Sequence, residues 1–268
     1  MADNAIRVGL LGATAHLRAI AERLSALFPV ERIDVDASST TKHAGSALSA
    51  LADRSDVIVS AIEGDRLARE VLTAQVARTS SCVIVDVSAI APQTLVGIAA
   101  AARLSVYGAA LGRRPTGETI ATVLYIDPSA MTLAPVASVA RALADDIVCV
   151  PGIKAKALGI VEGLLAGVNG AIVSEAVMLA ETAGIHRSDI VRLIHKGSGA
   201  TAMMDMQERL LAEPSAADAL DHASSLRDGL SSALNAAQAL EHPLLFASVA
   251  IATLRMPVHH HVRCGSES

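Results

Sequence analysis

Tryptophan is absent from this 268-residue chain, and phenylalanine and tyrosine occur twice each, as Phe28, Phe246, Tyr107 and Tyr125. Stacking platforms for bases or sugar rings therefore have almost no material. The core must be built from alanine, leucine, valine and isoleucine. Cysteine is scarce too: Cys82, Cys149 and Cys264 lie far apart, which suggests neither a disulfide framework nor a CxxC metal or redox pair. A cytoplasmic protein is expected. No cluster of lysine and arginine interleaved with aromatics occurs, and the net charge is −5, so a nucleic-acid surface is not expected. Met1 to Arg7 leads straight into strand-like sequence and has no signal-peptide pattern. His259, His260 and His261 read as a tail before they read as metal ligands, and no metal site is expected.

What is present is 52% hydrophobic and 18% charged, enough for one large domain or two smaller ones. Ile6 to Leu11 reads as a strand ending at Gly12, followed by helical spacing from His16 to Leu27. Arg32 to Val35, ending at Asp36, reads as a second strand, then a polar SSTTK turn and a helix to about Ala52. Asp56 to Ala61, Val83 to Val87, Val106 to Leu111 and Thr122 to Ile126 continue the series of strands, the earlier ones each followed by helical sequence, and a last strand stops near Val148 to Gly152. Such alternation predicts a parallel, doubly wound sheet. From there on strand signals vanish. Helices are expected over 187–196, through Leu211 after a GSGAT turn, and at about 216–240 and 244–255. The division is an α/β Rossmann-type domain over 1–152 and an all-α domain over 153–268.

Between them Gly152 to Gly184 carries no proline and is mostly apolar, which predicts one helix of about 45 Å. A membrane span is the first rival, but Glu162, Asn169 and Glu175 would be costly in lipid, and no membrane is expected. Gly159, Gly163, Gly167 and Gly170 strip one face of side chains, so another element should press closely there. Glu162 lies on that face, as a paired core group or as part of a site.

The turn after the first strand reads Gly12-Ala13-Thr14-Ala15-His16-Leu17 and keeps one of the three glycines of a dinucleotide-binding fingerprint. The hydroxyl of Thr14 can donate to a phosphate, whereas Leu17 would push the helix outward; His16 and Arg18 supply positive character or are plain solvated residues. Asp36 stands where a carboxylate takes the ribose hydroxyls of NAD and repels the extra phosphate of NADP, although aspartate is also common after a strand. A bound dinucleotide would run along residues 12–16, meet Asp36 and Ser38, and pass Ala61 and Ile62.

With these segments in place the chain resembles the β-hydroxyacid dehydrogenase family and its imine reductase relatives over nearly its full length. The most specific match is Asp86-Val87-Ser88-Ala89-Ile90-Ala91-Pro92, against a D-x-S-T-I-x-P signature. It implies that Ser88 lies near the nicotinamide and the substrate. The family's substrate loop falls on Tyr107 to Arg113 and puts Leu111, Gly112 and Arg113 at the substrate; Arg113 and Arg114 either meet an anionic group or are a solvated loop. Counted from the E-A-x-x-L-A segment at Glu175 to Ala180, the family's catalytic lysine falls on Gly159 and its asparagine on Glu162. Lys156, one turn earlier, is a candidate substitute. The family's K-D-L segment falls on Asp228-Gly229-Leu230, with its lysine gone and Arg227 next door.

The resemblance implies an NAD(P)-dependent reductase of a small imine or carbonyl compound, with Glu162 or Asp228 delivering or balancing a proton; imine reductase relatives also do without the lysine. A non-redox cyclase, isomerase or dehydratase using the same carboxylates, with no cofactor at all, is the second reading. A catalytically silent partner protein is the third. A homodimer is expected, because the long helix and those after it offer more apolar surface than one small helical domain covers.

Overall fold

Runs of valine, leucine and isoleucine too short for helices become the strands of one seven-stranded sheet. The computed structural model describes residues 5–12, 14–35, 41–62, 64–74, 81–116, 119–186, 189–190 and 216–254. In chain order the sheet contains β1 (Val8–Gly12), β2 (Val30–Asp34), β3 (Val57–Ala61), β4 (Val83–Asp86), β5 (Ser105–Thr116), β6 (Thr119–Ile126) and β7 (Asp146–Cys149). Their spatial order is β2-β1-β3-β4-β5-β6-β7. Helices α1 (Thr14–Ser25), α2 (Thr41–Arg54), α3 (Asp65–Leu72), α4 (Pro92–Ala101) and α5 (Ala134–Leu143) connect them.

The sheet departs from the all-parallel expectation at one edge. β1 to β5 are parallel, but β6 runs antiparallel to β5, and β7 runs parallel to β6. Two residues separate β5 from β6, and a parallel pair needs a crossover of a dozen or more. The strands are also longer than predicted there, because their outer halves pair as a ribbon from Ala109↔Ile126 to Thr116↔Thr119.

Alternation along the strands sends Leu11, Ile58 and Ile84 to one face, where they pack with α2, α3 and α4 through Leu48, Leu51, Leu67, Val71, Leu95 and Ile98. Leu10, Val57, Val59, Val85, Leu124 and Ile126 go to the other, under α1 and α5. Leu17, expected to push α1 outward, is fully buried on that second face.

The predicted long helix is α6 (Gly152–Thr182). Asp127, just past β6, accepts the Gly152 N–H at 2.7 Å, placing a carboxylate at the positive end of the helix. The first half of α6 lies beside α4 against the Gly108-Ala110-Gly112 face of β5: a side chain at Gly159 would stand 2.6 Å from the Ala110 Cβ. The second half packs on α7 (Ala216–Ala239) and α8 (Leu245–Thr253). Gly163 meets the Gly229 backbone, Gly167 takes Leu230, and Gly170 takes Leu226. The glycine stripe thus serves the sheet first and a helix second. The segments predicted over 187–188 and 191–215, and the C-terminal histidines, lie outside the described residues.

Candidate active site

Three polar residues at the carboxyl ends of β3 and β4 are out of water. Asp86 ends β4 fully buried; its Oδ1 accepts the Ser60 hydroxyl at 2.8 Å and the Ser88 hydroxyl at 2.5 Å. The Ser88 hydroxyl also accepts the Ile62 N–H at 2.8 Å, so the D-x-S segment ties β4 to the end of β3. Lys156 reaches into this cluster from α6. Its Nζ lies 2.6 Å from Asp86 Oδ2 and donates to the carbonyls of Asp86 and Ser88 at 2.8 and 2.7 Å.

Lys156, expected as a stand-in for the missing lysine, is instead enclosed. It is 2% exposed; its Nζ donates to two carbonyls and stands in a close ion pair with Asp86 Oδ2, a buried oxygen that accepts no well-directed hydrogen bond among the described residues. Burial pushes its pKa below the ordinary lysine value, against the pull of Asp86 and Asp65 that raises it.

Fewer than two turns further along α6, Glu162 comes down over β5. A Cβ on Gly112 would fall 2.1 Å from Glu162 Oε2 and 2.8 Å from Oε1, so only glycine leaves room for the carboxyl group. On the neighbouring strand Tyr125 sits opposite Ala110, and its hydroxyl donates to Glu162 Oε1. Both side chains are half-buried. Among the described residues Glu162 has no ion-pair partner and no other hydrogen bond. Asp228 is half-buried on α7 and precedes Gly229, whose backbone meets Gly163. Glu162 and Asp228 each immediately precede a glycine at which α6 and α7 cross.

Of the other predicted positions, Gly12, Ala61 and Ile62 lie at the crevice where the strand order reverses, between β1 and β3. Gly12 ends β1 at φ 150°, and a Cβ there would stand 2.0 Å from the Ala61 carbonyl oxygen. α1 begins two residues later with no acidic residue in its first turn, leaving its N-terminal N–H groups suited to an anion. Ala61 and Ile62 line the end of β3, both buried. Gly64 follows at φ 83° with open space where a side chain would project. An anionic group such as a pyrophosphate would be held at this helix end. Thr14, Ala15 and His16 form the first turn of α1, without described side chains; Ala13, Asp36 and Ser38 lie outside the described residues. Leu111 and Gly112 lie on β5 beside Glu162's strand contact, and the Arg113 backbone pairs with Thr122. No cluster of three histidine, cysteine, aspartate or glutamate residues is placed to hold a metal among the described residues.

Sequence reasoning missed two groups. Tyr125 was legible as a polar-tipped aromatic in an apolar strand, and Asp127 as an acid one residue beyond it, but nothing local pairs either with α6.

Together the mostly parallel sheet, its crevice and the helical C-terminal region define a Rossmann-type α/β protein. Its structural neighbours include 3-hydroxyisobutyrate dehydrogenases, imine reductases and reductive aminases. The 3-hydroxyisobutyrate dehydrogenase of Salmonella typhimurium superposes with a TM-score of 0.65 at 20% identity, over 93% of each chain. Psf3, in complex with NADP+ and 2-OPP, gives 0.68 at 18% over 92% of each. The reductive aminase of Aspergillus terreus, in complex with NADPH and ethyl levulinate, gives 0.55 at 15% over 94% of this chain and 93% of its own. At these identities the likeness is one of fold. No family model and no curated protein matches the chain by sequence.

Proposed function

We propose that the protein is an NAD(P)-dependent oxidoreductase that reduces a small imine or carbonyl compound, with Glu162 in place of a lysine as the proton-handling group. The observation that carries this reading is the Glu162 carboxyl group seated over Gly112, at the strand position the family resemblance gives to the substrate. Solved structures of the same fold that hold NADP+ and NADPH support the cofactor class. A nicotinamide cofactor, when bound, supplies the hydride.

The chain's own part is to bind, orient and move a proton. The Gly12 turn and the α1 N-terminus receive the pyrophosphate, and Asp36 with Ser38 meets the ribose. Ser88, held by Asp86 and Ile62, fixes the end of β4 beside the reacting centre. Lys156 secures α6 to that strand end, so that Glu162 keeps its place one strand further on. Asp228 balances charge from α7. The reading divides the chain into a Rossmann domain over 1–152 and a helical domain over 153–268.

A homodimer belongs to the same reading. α6 is long and apolar enough to cross a membrane, yet it packs along the sheet and α7, and the apolar residues it leaves exposed include Ile153, Val161, Leu165, Ile172 and Leu179. Leu245, Phe246 and Val249 on α8 are exposed as well. A second copy of the chain would cover them.

Glu162→Gln tests the function. With saturating NADPH or NADH and a panel of cyclic imines and small ketones, the wild-type chain consumes reduced cofactor and the variant, folded, does not. Equal turnover in both would remove Glu162 from its role.

A further inference from the structure

One hydroxyl beside Glu162 takes no part in the proton transfer itself. Lys156 is enclosed by Asp86 and two carbonyls, Ser60 and Ser88 are committed to Asp86, and Cys82 is buried with its thiol pushed up to about 12 by desolvation. Tyr125 remains. We propose that Tyr125 is a positioning residue of the active site: its hydroxyl fixes Oε1 of Glu162, so that the carboxyl group's exchangeable proton is carried on Oε2. The inference rests on Glu162 as the proton-handling group.

Three elements build the arrangement. Ala110 and Tyr125 are paired neighbours in the β5–β6 ribbon. Because strand residues alternate between faces and Leu124 and Ile126 belong to the core under α1 and α5, Tyr125 points to the opposite face, where α6 lies. Gly159 lets α6 settle onto Ala110, and the next turn brings Glu162 over Gly112. Both carboxyl oxygens then lie against the strand at a place only glycine leaves open.

A phenol has one hydrogen, and here it goes to Oε1. A second hydrogen on Oε1 would oppose it, so a protonated Glu162 carries its proton on Oε2. In the transfer the Oε2–H bond breaks and an N–H or O–H bond forms on the substrate heteroatom. The neighbouring carbon receives hydride from a reduced nicotinamide. The charge left on the carboxylate is shared with Oε1, where the tyrosine hydrogen bond stabilises it. Tyr125 keeps its own proton throughout.

The scarcity of aromatics makes this directly observable. With no tryptophan and two tyrosines, Tyr107→Phe leaves Tyr125 as the one tyrosine emitter. A tyrosine hydrogen-bonded to a carboxylate is quenched, so adding Glu162→Gln, or Gly112→Ala to displace the carboxyl group, should raise the emission. Unchanged emission in Glu162→Gln would overturn the proposal. In the otherwise native chain, with NADPH and a five-membered cyclic imine, Tyr125→Phe should lower kcat about tenfold with KM nearly unchanged, as for an interaction made in the transition state. Added to Glu162→Gln it should cost nothing more. Native kcat in Tyr125→Phe beside an inactive Glu162→Gln would overturn the positioning role and leave Glu162 in place, whereas native turnover in Glu162→Gln would strike the reading on which both rest. Phenylalanine fills the same ring space, so Tyr125→Phe decides even where Gly112→Ala fails to fold.

Discussion

At the end of β4, Lys156 meets Asp86 with both side chains out of water; over the middle of β5, less than two turns along the same helix, Glu162 meets a single hydroxyl among the described residues and stays half-exposed. The first charge is enclosed by two carbonyls and a carboxylate. The second has, among the described residues, one oxygen uncommitted, over a glycine. A buried ion pair resists change, because removing either member strands the other in low dielectric. A carboxyl group with one oxygen free can exchange a proton. On the proposed reading, the helix divides these two charged contacts with the sheet between holding and reacting.

The sharpest way to break that contrast is at the first contact. Lys156→Met should destabilise the fold by about 3–5 kcal/mol, because Asp86 is left buried without its cation; urea unfolding measures it, and a loss under about 1 kcal/mol would mean the junction does not hold α6. Glu162→Gln should do the reverse: turnover falls about a hundredfold or more, while unfolding free energy moves by about 1 kcal/mol or less, since the amide oxygen can still accept from Tyr125. Similar stability losses in the two variants would erase the distinction.

The second half of α6 offers a chemically silent control. Alanine at Gly167 would place its Cβ 2.3 Å from Leu230 Cγ. Overpacking there costs about 1–3 kcal/mol, and the gain in helix propensity returns up to about 1 kcal/mol. A net loss of about 1 kcal/mol with cofactor affinity unchanged is expected from thermal unfolding and titration.

The smallest effect is at the start of the helix. Burial raises the Asp127 pKa, but the hydrogen bonds from Ser129 and the Gly152 N–H outweigh it and hold the carboxyl group below its usual value. A folded pKa below the unfolded one gives stability that is present above the unfolded value, about 3.9, and is lost as pH falls through the folded one. Asp127→Ala should therefore cost about 0.5–1 kcal/mol at neutral pH, the low part of the range for caps because the group is partly solvated. The gap from wild type should close as the pH falls below that value.

What the sequence made legible was local. The long helix was predicted over 152–184 and runs 152–182, and its glycine spacing foretold a close approach. Glu162 was expected to share a groove with Gly159, and the two lie over Gly112 and Ala110 of the same strand. Partners distant in sequence were not legible: Lys156 and Asp86 lie 70 residues apart, and Tyr125 and Glu162 lie 37. Period and spacing say which face a side chain takes, but which strand end stands beneath that face is set by sheet order. The antiparallel edge escaped for a related reason, since alternation of element types is blind to a two-residue connection.

The most direct test of the account is a titration of the purified chain with NADPH and with NADH, following nicotinamide fluorescence against a background free of tryptophan. The account predicts saturable binding of at least one of them, with Glu162→Gln binding equally well, because that residue handles a proton and does not hold the cofactor. No binding of either up to about a millimolar, weaker than about −4 kcal/mol, would contradict it.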